Sequence, residues 1–218
     1  MVAPQQNGGA RLFYAHDPMC SWCWGFQNAY QQLQRELPSS IALTPLLGGL
    51  APDSDAPMPQ QMQLQLQETW RRIEAAVPGA RFNHDFWSEC SPRRSTWPAC
   101  RAVLAARAQD QNGAGLDAAM TAAIQRGYYL QARNPSDEAT LVEFAAELGL
   151  NAAAFKTALR SDAVQRQLES EIAAARQLGV RGFPALVLLP EGGGTARPIR
   201  VNYADARAML DDIARAPA

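Results

Sequence analysis

Strand-like segments bracket residues 57–179, which read almost entirely as helix, and this order restricts the fold more than any other feature of the chain. Arg11-Leu12-Phe13-Tyr14-Ala15-His16 is apolar and aromatic and is expected to form a buried strand, broken by Asp17-Pro18. A helix pattern follows from about Ser21, with Trp24, Tyr30, Leu33 and Leu37 on one side, and Pro38 stops it. Ile41 to Leu47 reads as a second strand, giving a parallel strand–helix–strand unit. Strand chemistry returns only at Ala185-Leu186-Val187-Leu188-Leu189. A turn through Pro190 to Thr195 leads into Arg197 to Val201, an edge strand because Pro198 cannot donate to a ladder. Residues 204–214 close the chain as a helix.

Between the two halves the helical periodicity is repeated. Leu66, Trp70, Ile73 and Val77 recur at i, i+4, i+7 and i+11, and Pro78-Gly79 ends that run. Ser95 or Thr96 is expected to cap the next helix, with Pro98 tolerated in its first turn. Leu116-Met120-Ile124-Tyr128 and Leu141-Phe144-Leu148 mark two more. Asn151 caps a short helix, and Ser161 or Asp162 caps a last one ending at Gly179. The expected organisation is an α/β domain formed by residues 1–52 and 180–218, interrupted by an all-helical insertion over residues 53–179 between the second and third strands. The Gln-rich stretch around residues 60–67 reads as a solvated helix face.

Composition narrows the partners. Twenty Lys plus Arg stand against 21 Asp plus Glu, so there is no basic excess and no nucleic-acid partner is expected. With 47% hydrophobic and 19% charged residues the chain is globular. No apolar run approaches the ~20 residues of a membrane span, and no membrane partner is expected. Residues 1–10 lack a charged n-region and an apolar h-region, so the expected location is the cytoplasm. Four cysteines are too few for a disulfide scaffold; closely spaced thiols in a reducing compartment point to redox catalysis or metal binding.

Two of those thiols form Cys20-Ser21-Trp22-Cys23, after a strand and at the first turn of a helix. Free N–H groups and the positive end of the helix dipole favour a thiolate there. The i, i+3 spacing puts both sulfurs on one face. Cys20, nearer the start, is expected to be exposed and acidic; Cys23, one turn in, is expected to be buried and to resolve what Cys20 captures. Two other readings remain: half of a zinc site, with His84, Cys90 and Cys100 as irregularly spaced additional candidates, or a pair of inert core thiols.

Tyr14 to Phe26, Leu47-Gly48-Gly49-Leu50 and Gly179-Val180-Arg181-Gly182-Phe183-Pro184-Ala185, in this order and with a helical insertion after the second strand, resemble the DsbA-like branch of the thioredoxin superfamily, especially its cytosolic, FrnE-like members. The resemblance covers nearly the whole chain. It implies a thioredoxin fold, Cys20 as attacking and Cys23 as resolving cysteine, and a cis peptide at Phe183-Pro184 facing them. Ser21, Trp22, Phe183 and Pro184 are then the substrate-binding candidates, the loop before the third strand pairing with an extended substrate. No cofactor or metal is expected. The expected partners are protein or small-molecule thiols and disulfides, with glutathione or thioredoxin as reducing partner. Ser21-Trp22 replaces the Pro-His dipeptide of the periplasmic enzymes, so their potential does not carry over, and a dithiol reductase, isomerase-like or sensor role is expected in place of net oxidation.

His16 can tune the thiolate from the strand end, while a partly exposed bystander is the simpler reading. Asp17 would oppose a low thiol pKa if close. Trp24 is assigned to the core and Trp22 to substrate contact. Cys90 and Cys100 are read as incidental thiols ahead of a second redox pair, and Arg93-Arg94 as a solvated loop. Two rival functions belong to other classes: an adaptor presenting clients to a protease, and a glutathione-dependent transferase or isomerase of the kappa and hydroxychromene-carboxylate isomerase group. The latter typically carries serine where Cys20 stands.

Overall fold

A computed structural model describes residues 9–215. The expectation about the first ten residues falls, for residues 1–8, outside the described residues. Strand β1 (Arg11–His16) alternates its side chains between two cores. Leu12 and Tyr14 face one, and Phe13 and Ala15 face the other. Helix α1 (Ser21–Glu36) and strand β2 (Ala42–Leu47) follow, and β2 pairs with β1 in parallel. The helical stretch contributes α2 (Gln60–Ala76), α3 (Phe86–Glu89), α4 (Trp97–Arg107), α5 (Leu116–Leu130), α6 (Glu138–Glu147), α7 (Ala152–Leu159) and α8 (Asp162–Gln177). Strands β3 (Ala185–Leu189) and β4 (Arg197–Ile199) and helix α9 (Ala206–Ala214) complete it. The sheet order is β2-β1-β3-β4, with β3 antiparallel to both its neighbours. Both edge strands carry a proline, Pro45 and Pro198, which limits pairing with a further strand.

Helices α1 and α9 cover one sheet face through Phe26, Ala29, Leu33, Met209 and Ile213. Helix α8 covers the other, laying Ala174 and Ala175 against Ala15 and Leu46. It also sends Val164, Leu168 and Ile172 into the core of the helical stretch, so α8 serves both cores. A polar tie reinforces the junction. Glu171 accepts the Leu47 N–H at 2.9 Å and pairs with Arg107 at 2.6 Å, and Arg107 also holds Asp117 at 3.0 Å.

The helical core is organised around α4, whose Ala99, Cys100, Ala102, Val103, Leu104, Ala105 and Ala106 are all buried. It contacts α5, α6, α7 and α8. Small side chains let these neighbours approach on every side, which is why no apolar stripe marks α4 in the sequence. Asn151 and Ser161 cap α7 and α8 as expected, accepting from the N–H groups of Ala154 and Val164. Thr96 stands at the N-cap of α4, but its hydroxyl is engaged elsewhere. Helix α1 departs from the expected single stripe. Phe26, Ala29 and Leu33 face the sheet, while Trp24 turns to the helical core and stacks on Tyr129 at 5.5 Å.

Gly127 in α5 lies directly against the ring of Phe144, and a Cβ at this position would overlap that ring. The Arg133 guanidinium sits 4.1 Å from the centre of the same ring, so the ring has little room to retreat. Alanine has the better helix propensity by about 1 kcal/mol. Overpacking a filled core costs about 1–3 kcal/mol, and it outweighs that gain. Gly127→Ala is therefore expected to lower the urea midpoint at unchanged slope; a raised midpoint would show that the ring has room to move.

Candidate active site

Cys20 occupies the N-cap of α1 with extended backbone angles (φ −80°, ψ 115°), and the helix begins at Ser21. Its own N–H donates to the Asp17 carbonyl at 3.0 Å, and its carbonyl accepts from Trp24 at 3.1 Å. The first turn holds no acidic side chain, so nothing anionic competes for the helix N–H groups. The Cys20 thiol pKa is lowered. The largest cause is a hydrogen bond from the Cys23 thiol, and the N–H groups of Cys23 and Trp22, which face the sulfur, add to it. Burial and the Asp17 charge oppose this and are outweighed. Cys23 goes the other way: burial, the hydrogen bond it gives to Cys20 and the adjacent Cys20 charge raise its pKa well above an ordinary thiol's.

Cys20 is less open than expected. It is 7% exposed and Cys23 1%, so both lie beneath the surface, and Cys20 is reached from a cavity of about 220 Å³. Burial follows from packing of the loop before β3 over the helix start. The Cys20 thiol donates to the Phe183 carbonyl at 3.5 Å, and the Phe183-Pro184 peptide is cis. That loop seats on Gly48: the Phe183 ring occupies the space a Cβ there would fill.

Of the expected site residues, Cys20, Ser21, Trp22 and Phe183 line this cavity together. Pro184 follows directly in the chain, and Cys23 is buried and does not reach this cavity. Ser21 is buried and its hydroxyl accepts from Trp70 Nε1 at 2.9 Å. Trp22 is half-buried, tilted against Tyr203 with ring centres 5.1 Å apart. The opposite wall comes from Leu50 in the loop after β2 and from Met58, Leu66, Thr69, Arg94 and Tyr128 of the helical stretch. The sequence places none of these residues at the site: Leu50 stands in the Leu47–Leu50 segment of the resemblance, and Arg94 reads as part of a solvated loop.

The secondary candidates are also resolved. Asp17 is fully buried. Its carboxylate accepts from the N–H groups of Met19 (2.8 Å) and Leu50 (2.7 Å), the Thr96 hydroxyl (2.6 Å) and, at 3.5 Å, the Cys100 thiol. His16 is buried, not partly exposed, and stacks on Tyr14 at 4.9 Å. Burial and the nearby Arg107 charge push its pKa down to about 4, so it is neutral at pH 7. It faces a second cavity of about 160 Å³ behind α1, shared with Tyr14, Cys23 and Arg107. Cys90 and Cys100 have separate partners, the Ala132 carbonyl (2.9 Å) and Asp17. Arg93 is not solvated loop: it pairs with Asp137 at 2.7 Å and donates to the Ser136 carbonyl. No group of three or more His, Cys, Asp or Glu side chains among the described residues is placed to hold a metal ion.

Since the Cys23 thiol is the largest cause lowering the Cys20 pKa, Cys23→Ala is expected to move thiolate absorbance at 240 nm to higher pH. Cys23→Ser, which keeps a hydroxyl donor, moves it less. Identical titration curves for the wild type and Cys23→Ala would contradict the assignment.

Residues 13–209 match the DSBA-like thioredoxin domain model. No curated protein sequence matches the chain. Among solved structures, one provisionally named a protein disulfide isomerase, from Nitrosomonas europaea, superposes with a TM-score of 0.78 at 25% identity, covering 94% of this chain and 96% of that one. The cytosolic disulfide reductase DsbM from Pseudomonas aeruginosa, in a structure with GSH, gives 0.72 at 27% identity over 94% of this chain and all (100%) of that one. A second DsbM structure gives 0.72 at 28% identity, covering 94% and 98%. The chain belongs to the DSBA-like thioredoxin domain family and is, with it, a thiol–disulfide oxidoreductase.

Proposed function

We propose that the chain reduces disulfides by exchange through Cys20 and Cys23. The observation that carries the reading is the opposite tuning of two adjacent sulfurs, with the favoured thiolate facing the cavity and the disfavoured thiol buried outside it. The Cys20 thiolate attacks one sulfur of a substrate disulfide. A Cys20–substrate mixed disulfide forms, and the other half leaves as a thiolate that takes up a proton. Cys23 then loses its proton and attacks the Cys20 sulfur, releasing the second half as a thiol. The substrate gains two electrons and the protein is left with a Cys20–Cys23 disulfide. Two molecules of a reducing thiol such as glutathione, or one reduced thioredoxin, restore the dithiol.

Ionisation of Cys23 becomes easier once Cys20 is in a mixed disulfide, because the Cys20 charge and the hydrogen bond to it, both of which raise the Cys23 pKa, are then gone. The Phe183 carbonyl, beside the Cys20 sulfur, and Pro184 flank a bound substrate, while Ser21 and Trp22 form the adjoining wall. The reductive direction and a cytoplasmic setting rest on likeness to a protein named a cytosolic disulfide reductase and solved with GSH. No described helix is long and apolar enough to cross a membrane.

Cys20→Ser is expected to abolish glutathione-coupled reduction of a model disulfide. Cys23→Ser is expected to accumulate the mixed disulfide, read by intact mass. Retained turnover in Cys20→Ser, or conjugation of glutathione to an electrophile by that variant, would overturn this mechanism in favour of the transferase reading.

A further inference from the structure

The lining side chains of the cavity over Cys20 carry charge of one sign only, with the buried Asp17 carboxylate set behind Leu50 and Thr96 as the opposing charge. The charged lining residues are Arg93 and Arg94, and no acidic side chain lines the cavity. Arg93 is committed to Asp137 and the Ser136 carbonyl. Arg94 makes no ion pair among the described residues. It is half-buried, and its charge acts on the Tyr128 hydroxyl of the same cavity, where burial first and then Asp17 and Cys90 act the other way. Met19, Leu50, Met58, Leu66 and Phe183 supply the apolar remainder. A guanidinium against apolar walls is screened less than one in open water, and its planar fork matches a carboxylate.

We propose that this cavity selects small disulfides whose halves carry a carboxylate, with Arg94 taking the carboxylate while the disulfide lies over Cys20. This rests on the exchange reading above and adds the substrate's charge class to it. Some 220 Å³ is room for one half of such a molecule, the other half extending outward as the leaving group. A cationic disulfide meets the same guanidinium as a repulsion, so selectivity arises from both signs. Arg94 acts on binding and orientation and takes no part in electron transfer.

Three disulfides of similar size isolate the charge: 3,3′-dithiodipropionate, bis(2-hydroxyethyl) disulfide and cystamine. The reduced protein is mixed with each at pH 7, and oxidation of the cysteine pair is followed by tryptophan fluorescence and quenched thiol counts. The wild type is expected to prefer the anionic over the neutral probe by about tenfold, and the neutral over the cationic. Arg94→Gln collapses the anionic-to-cationic ratio, Arg94→Glu inverts it and Arg94→Lys keeps most of it. Added salt shrinks the preference. An unchanged ratio in Arg94→Gln, or an equal loss on all three probes, would overturn the proposal while leaving disulfide exchange intact. Failure of every probe to oxidise the wild-type pair would instead remove the exchange reading itself.

Discussion

The carboxylate of Asp17 joins four segments of the chain at the end of β1. One oxygen receives the Met19 N–H, fixing the turn into α1. The other receives the Leu50 N–H, the Thr96 hydroxyl and the Cys100 thiol, drawing in the loop after β2 and the start of α4. Burying a carboxylate is expensive unless it is hydrogen-bonded. Here four donors converge on it and offset part of the penalty, though burial outweighs them and raises the Asp17 pKa. The same charge disfavours ionisation of both cysteines. For Cys20 that influence loses to the Cys23 thiol and the helix N–H groups; for Cys23 a backbone hydrogen bond with Asp17 opposes it, but burial and the Cys20 sulfur keep the pKa raised. Removal of a single donor would leave buried acceptor capacity unfilled and loosen the helix start that carries the sulfur.

The helical insertion completes the site as well as flanking it. Trp70, fully buried among Phe82, Phe86, Trp87, Tyr128 and Tyr129, donates its indole N–H to Ser21 between the two cysteines. Buried aromatic rings of this kind pack with directional preference. The orientation of the dipeptide is therefore set by the aromatic core of the insertion. Leu66, Thr69, Arg94 and Tyr128 face the cavity from the same side, opposite Phe183. One wall belongs to the insertion and the other to the sheet, with Cys20 between them.

What was legible in the sequence is local in origin. The strand β1, the Pro38 stop, the i, i+4, i+7 stripe of α2, the caps at Asn151 and Ser161 and the Cys-x-x-Cys pair at a helix start all rest on neighbouring residues. What was not legible depends on distant partners. Helix α4 is buried on all sides and has no period to read. The four-residue α3 is too short to carry one. Trp24 serves a second core that only α5 reveals. Cys20 looked exposed because the loop that covers it comes 163 residues later. The role of Asp17 needed Leu50, Thr96 and Cys100 to be brought to it.

The central claim is that one sulfur pair, and not the other two thiols, carries reversible two-electron chemistry. The most direct measurement equilibrates the protein with buffers of varied glutathione to glutathione disulfide ratio, blocks free thiols by alkylation after denaturation, and maps every cysteine by mass spectrometry. The account predicts a Cys20–Cys23 disulfide that appears and disappears with the buffer ratio, with Cys90 and Cys100 remaining thiols. A Cys20–Cys23 pair that stays reduced at every ratio, or glutathione recovered on Cys90 alone, would contradict it.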